Sequence, residues 1–132
     1  MIPSKNIEES RLLQLQFEKR GGLLPVVVQD HYSQKILMVG YVNQTALRLS
    51  LEKRIATFWS TSRQKLWTKG ETSGDYLRLQ EAWVDCDQDA IIFRVEMMGE
   101  GICHTKNTIG QSRQSCFYRR IDDDQRTLLF QE

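Results

Sequence analysis

Proline is nearly absent: Pro3 and Pro25 are the only two in 132 residues. No Pro-rich, Gly-rich or repeated tract occurs either, so nothing marks an internal linker or a second domain. Residues 1–132 therefore read as one domain, long enough to bury a core. The chain also lacks an apolar run long enough to span a bilayer, and M-I-P-S-K-N-I-E-E-S has neither the basic start nor the apolar stretch of a secretory signal. These absences predict a cytoplasmic location without a membrane partner. An excess of one charge is missing too. Eighteen basic against seventeen acidic residues leave a net +1, and no face-long run of Lys and Arg supplies a nucleic-acid footprint. Cysteine is scarce and odd in number. Cys86, Cys103 and Cys116 suit a disulfide framework poorly, which leaves metal binding or simple burial.

The patterns that are present predict an α+β fold, mainly an antiparallel β-sheet with a few short helices. Ser4 can cap a helix running from Glu8 to Arg20, with Leu12, Leu13, Leu15 and Phe17 as its apolar side and Gly21-Gly22 as its stop. This assigns 1–22 to an amino-terminal helix and 121–132 to a tail. L-L-P-V-V-V-Q-D and K-I-L-M-V-G-Y-V, separated by H-Y-S-Q, predict a hairpin with His31 on its surface turn. Asn43 can cap a helix over Q-T-A-L-R-L-S-L-E-K-R. Strands are expected in I-A-T-F-W-S-T, Y-L-R-L-Q-E-A-W-V-D and A-I-I-F-R-V-E-M-M.

Between the first two of those strands, Ser60 to Gly74 form the longest polar stretch, expected to be irregular. Arg63, Lys65 and Lys69 are cations there, Thr72 and Ser73 are hydroxyl donors, and Gly70 and Gly74 let backbone amides approach an anion. Trp59 and Trp67 bracket the basic part and could stack on a planar base. Together they suggest a bound nucleotide. The plainer alternative is a solvated hairpin connection with two core tryptophans.

V-D-C-D-Q-D-A places aspartates at every second position. If the segment is extended, Asp85, Asp87 and Asp89 share one side and Cys86 points to the other. Crowded carboxylates repel unless a cation such as Mg²⁺ sits among them, and the alternative is a solvated acidic turn. The cysteines lack C-x-x-C spacing, so inert core thiols remain open. Their polar neighbours, the aspartates and His104, favour a site. Three thiolates plus one water would make a catalytic zinc with an open position.

F-W-S-T-S-R-Q-K-L-W-T-K-G-E-T-S-G, D-C-D-Q-D, C-H-T and S-C-F-Y-R, in this order, resemble the phosphoribosyl-AMP cyclohydrolase family of histidine biosynthesis. The resemblance extends from about Leu23 to Arg120. It implies Zn²⁺ on Cys86, Cys103 and Cys116, Mg²⁺ on Asp85, Asp87 and Asp89, and an intertwined homodimer in which Cys86 of one subunit meets Cys103 and Cys116 of the other. It implies a small-molecule substrate, 1-(5-phosphoribosyl)-AMP, whose adenine ring is hydrolysed at the N1–C6 bond. His104, beside a zinc ligand, is the candidate for proton transfer, or else a residue that orients Cys103. Arg63, Lys69, Thr72, Ser73 and Gly74 are candidates for phosphate and ribose, with Trp59 or Trp67 against the base.

The twelve residues between Cys103 and Cys116 form a longer connector than the family's short one. Two other classes stay open. One is a non-catalytic nucleotide-binding module whose zinc only staples its dimer. The other is a zinc hydrolase or deaminase of another purine nucleotide, although the H-x-E and P-C-x-x-C signature of nucleobase deaminases is missing.

Overall fold

A computed structural model of the chain describes residues 7–131. Its framework starts with the expected hairpin. Strands β1 (Leu24–Asp30) and β2 (Ile36–Val42) pair antiparallel, with Val26 opposite Gly40 and Val28 opposite Met38. Alternation along β1 buries Leu24, Val26, Val28 and Asp30 and turns the residues between them to the second face. The carboxylate of Asp30 accepts the amides of Tyr32 at 3.2 Å and Ser33 at 2.7 Å, which closes the turn and satisfies a buried charge. His31, expected on the surface, is half-buried. Its backbone N–H donates to the Val95 carbonyl at 2.8 Å, and that bond draws the residue against the sheet.

Helix α1 (Gln44–Lys53) follows as expected. The Asn43 side chain accepts the Ala46 amide at 2.8 Å, and Arg54 ends the helix at φ 58°. Buried Ser50 locks the helix to the next strand. Its Oγ lies 2.9 Å from the carbonyl oxygens of Ala46 and Thr57 and accepts the Thr57 amide at 2.8 Å. That strand, β3 (Thr57–Ser60), pairs antiparallel with β4 (Lys65–Thr68). β4 lies inside the stretch expected to be irregular. Leu66 and Trp67 give it the apolar side chains a short hairpin strand needs.

β5 (Leu77–Val84) and β6 (Ile91–Met97) complete a four-stranded sheet in the order β2-β1-β6-β5. β1 and β6 run parallel, Val28 opposite Phe93, within an otherwise antiparallel fold. The core lies on one face of this sheet, where Phe58 and Phe93 meet at 6.1 Å between ring centres. A Cβ on Gly40 would stand 2.8 Å from the Phe58 ring, so only glycine allows β3 this close to β2. On the second face, cross-strand register aligns Val39, Val27, Ile92 and Trp83 in one apolar row. β7 (Arg119–Ile121), which leads into the tail, pairs with β8 (Leu128–Phe130) inside it as a separate exposed hairpin.

The amino-terminal helix is a correction. Ser4 lies outside the described residues, and 8–16 are turn and irregular backbone, followed by a single 3-10 turn at Glu18–Arg20. The amide of Leu12 is taken by the Ser10 hydroxyl at 3.0 Å, while those of Gln14 and Gln16 are taken by Gln88. Non-helical partners therefore outcompete the helical ladder. Leu12 and Leu13 are exposed, Leu15 packs against the edge of the core, and Phe17 is buried in it. Among the described residues, no helix is long and apolar enough to cross a membrane.

Candidate active site

The acidic segment forms by a different route from the alternation the sequence suggests. β5 ends at Val84, and 85–90 fold as a turn in which Gln88 adopts φ 57°. The Asp85 carboxylate accepts the amides of Asp89 at 2.9 Å and Ala90 at 3.1 Å, so the turn curls around it. Carboxylate oxygens of Asp85, Asp87 and Asp89 all fall within 4.8 Å of one another. Desolvation raises the Asp85 pKa against the pull of those amides. Asp89 is held far below the ordinary carboxylate range, chiefly by the Lys19 ammonium 2.9 Å away. A cation therefore already sits among these oxygens, and a hard divalent ion fits the same donor set.

Cys103 and Cys116 meet at the other end of the sheet. The long connector between them closes on itself: the amides of Ile102 and Cys103 donate to the Arg113 carbonyl, and Arg113 donates to the Thr105 carbonyl. The Asn107 side chain caps the tip by accepting the amides of Ile109 and Gln111. Cys116 is anchored by its amide on the Leu37 carbonyl at 2.7 Å. Burial raises the Cys103 pKa, but hydrogen bonds with Thr105 and with Cys116 outweigh it and lower the thiol overall. Cys116 is pushed up to about 11 by loss of solvent around its thiol and by the neighbouring Cys103 sulfur. Two adjacent thiols suit a thiophilic cation such as zinc, which binds them as thiolates. Thr105, with Oγ1 at 2.9 Å from the Cys103 sulfur, is a contact that spacing did not reveal. Cys86 is exposed beyond the far end of β5, away from this pair. His104 is exposed beside Cys103.

The substrate candidates separate. Lys69, just past β4, acts electrostatically on both thiols and stands 5.6 Å over the Trp67 ring. Arg63 lies in the exposed turn at the opposite end of the β3–β4 hairpin. Phe58 pairs with Trp67 and Trp59 with Leu66, so the two tryptophans occupy opposite faces. Trp67 packs on the core ring of Phe58 at 5.7 Å, which leaves Trp59 on the other side. Thr72 and Ser73 are exposed, and the Ser73 hydroxyl accepts the Asp75 amide at 3.2 Å. Gly70 and Gly74 take φ 92° and 84° in the same loop.

A small α+β chain with a thiol pair at one end of its sheet and a carboxylate turn at the other defines a class: proteins carrying two separated clusters of side chains of the kinds that can hold metal ions. The family model described as phosphoribosyl-AMP cyclohydrolase matches residues 38–118, which include all three cysteines and the acidic turn. Relatives named phosphoribosyl-AMP cyclohydrolase include that of Solibacter usitatus, 48% identical over 83% of this chain and 82% of its own. That of Archaeoglobus fulgidus is 45% identical over 86% of this chain and 97% of its own. That of Methanothermobacter thermautotrophicus is 46% identical over 95% and 86% respectively. The chain belongs to the phosphoribosyl-AMP cyclohydrolase family.

Proposed function

We propose that this enzyme hydrolyses the N1–C6 bond of 1-(5-phosphoribosyl)-AMP, opening the adenine ring to the formimino-carboxamide ribonucleotide of histidine biosynthesis in the cytoplasm. The observation that carries the reading is the Cys103–Cys116 thiol pair beside Lys69, in a chain whose family match spans both. Cys103 and Cys116, with Cys86 from a second copy, would hold Zn²⁺; Asp85, Asp87 and Asp89 would hold Mg²⁺. Bound zinc supplies Lewis-acid activation of water near neutral pH, and magnesium supplies charge to bind phosphate. Thr105 steadies the Cys103 sulfur in its ligating state. His104, exposed one residue from Cys103, is the candidate to carry the proton to the ring nitrogen that departs. Lys69 adds positive charge where an anionic nucleotide would bind.

A homodimer would bring the Cys86 of a second copy to the thiol pair, from which this chain's own Cys86 is separated. The row Val39, Val27, Ile92 and Trp83 offers an uncovered apolar face for a second copy, and reversing the partner's strands would bring its Cys86 to this end. The test is a spectrophotometric assay of ring opening with Zn²⁺ and Mg²⁺, after chelation, and with Cys103→Ala. Loss of turnover in both latter cases supports the reading. Release of ammonia would indicate a deaminase instead, and a metal-loaded dimer without turnover would indicate a binding module.

A further inference from the structure

The amino-terminal segment lies strapped across the acidic turn. Gln16 donates its amide to the Gln88 carbonyl at 2.9 Å, Gln14 donates to Gln88 Oε1 at 2.7 Å, and Gln88 Nε2 donates to the Leu12 carbonyl at 3.1 Å. One buried glutamine thus reverses the turn and holds the strap. This docking places the Glu18–Arg20 turn beside the carboxylates. Lys19 Nζ stands 3.1 Å from Asp87 and 2.9 Å from Asp89, and Arg20 Nη2 stands 3.0 Å from the same Asp89 oxygen. Asp89 is 3% exposed, so its charge needs compensation from protein groups. A divalent ion on those oxygens would face two cations at close range, which repel it. The oxygens cannot serve both.

We propose that Lys19 and Arg20 are built-in counter-cations of the acidic turn, which a divalent cation must displace, and that they thereby set the turn's affinity for it. The inference rests on the reading of Asp85, Asp87 and Asp89 as the Mg²⁺ site. Its logic is competition: the fraction of molecules with free carboxylates scales the apparent affinity, and each partner weakens the other by the same factor. Lys19 is half-exposed, so replacing it leaves the core intact.

The test is calorimetric titration of the full-length protein with Mg²⁺, comparing wild type, Lys19→Met, Lys19→Arg and Lys53→Met, each first checked by thermal melting. Lys19→Met should bind Mg²⁺ about tenfold more tightly, within the usual range for coupled sites. Lys19→Arg should restore the wild-type value, and Lys53→Met, which removes a charge at the end of α1, should match wild type. Unchanged or weaker binding by Lys19→Met, with wild type still binding, overturns the counter-cation proposal and leaves the Mg²⁺ reading standing. Absence of Mg²⁺ heat in every variant overturns the Mg²⁺ reading, and this proposal with it.

Discussion

Cys86 and Cys103 lie beyond opposite ends of the β5–β6 hairpin: Cys86 follows Val84, which pairs with Ile91, and Cys103 follows Met97, which pairs with Leu77. A seven-residue strand spans roughly 23 Å, so one chain cannot bring both sulfurs to one ion. Cys86→Ala and Cys103→Ala should therefore each be inactive alone. Unfolded together and refolded, they should recover about a quarter of wild-type activity, because in the proposed dimer half the pairs would be mixed and each mixed pair would hold one intact site. No recovery in a mixture shown to exchange subunits would place the three thiols in separate roles.

The loop after β4 turns on two glycines that differ in surroundings. A Cβ on Gly70, at φ 92°, would collide with the Asp75 and Tyr76 backbone, whereas Gly74, at φ 84°, has open space around it. Gly70→Ala should cost about 2–3 kcal/mol through strain and collision together, and Gly74→Ala only about 1 kcal/mol through its backbone angle. Chemical denaturation of the two variants checks the order.

Because the connector closes at its base through the Arg113 backbone, and Asn107 organises only the tip beyond that base, the tip carries little of the fold. Replacing 107–111 with a short glycine turn should change stability by less than about 1 kcal/mol, since loop entropy varies slowly with length. Zinc content per chain should also hold. Loss of zinc with stability intact would show that the tip positions the thiols.

The acidic turn should be visible in the pH dependence of stability, measured by urea melts in chelator. Asp89 has a folded pKa below its unfolded value of about 3.9, so its contribution is present above that value and is lost as pH falls below it. Asp89→Asn should flatten the acid limb. Asp85 has the opposite sign: its raised pKa makes the folded state take up protons first, so stability from this group rises on acidification. Asp85→Asn should steepen the acid limb, and equal slopes in both variants would refute the assignment.

Much of the fold was legible because local chemistry agreed with it. The 23–42 hairpin, the Asn43 cap and strands β3, β5 and β6 all follow from alternation and capping. The amino-terminal helix was misread because Leu12, Leu13, Leu15 and Phe17 look like a helical face, although Gln88, more than seventy residues away, takes the amides that a helix would need. β4 was hidden by polar neighbours on both sides.

The sequence by itself determined the chemistry on offer: three thiols, three spaced carboxylates, a basic loop and the order that marks the family. Only the tertiary structure decided how these groups meet. Antiparallel pairing of β5 with β6 sends Cys86 and Cys103 to opposite ends, and cross-strand register puts Trp59 and Trp67 on opposite faces. Docking of the strap sets Lys19 on Asp87 and Asp89. Each outcome depends on contacts between residues distant along the chain, whose register and direction no local pattern carries.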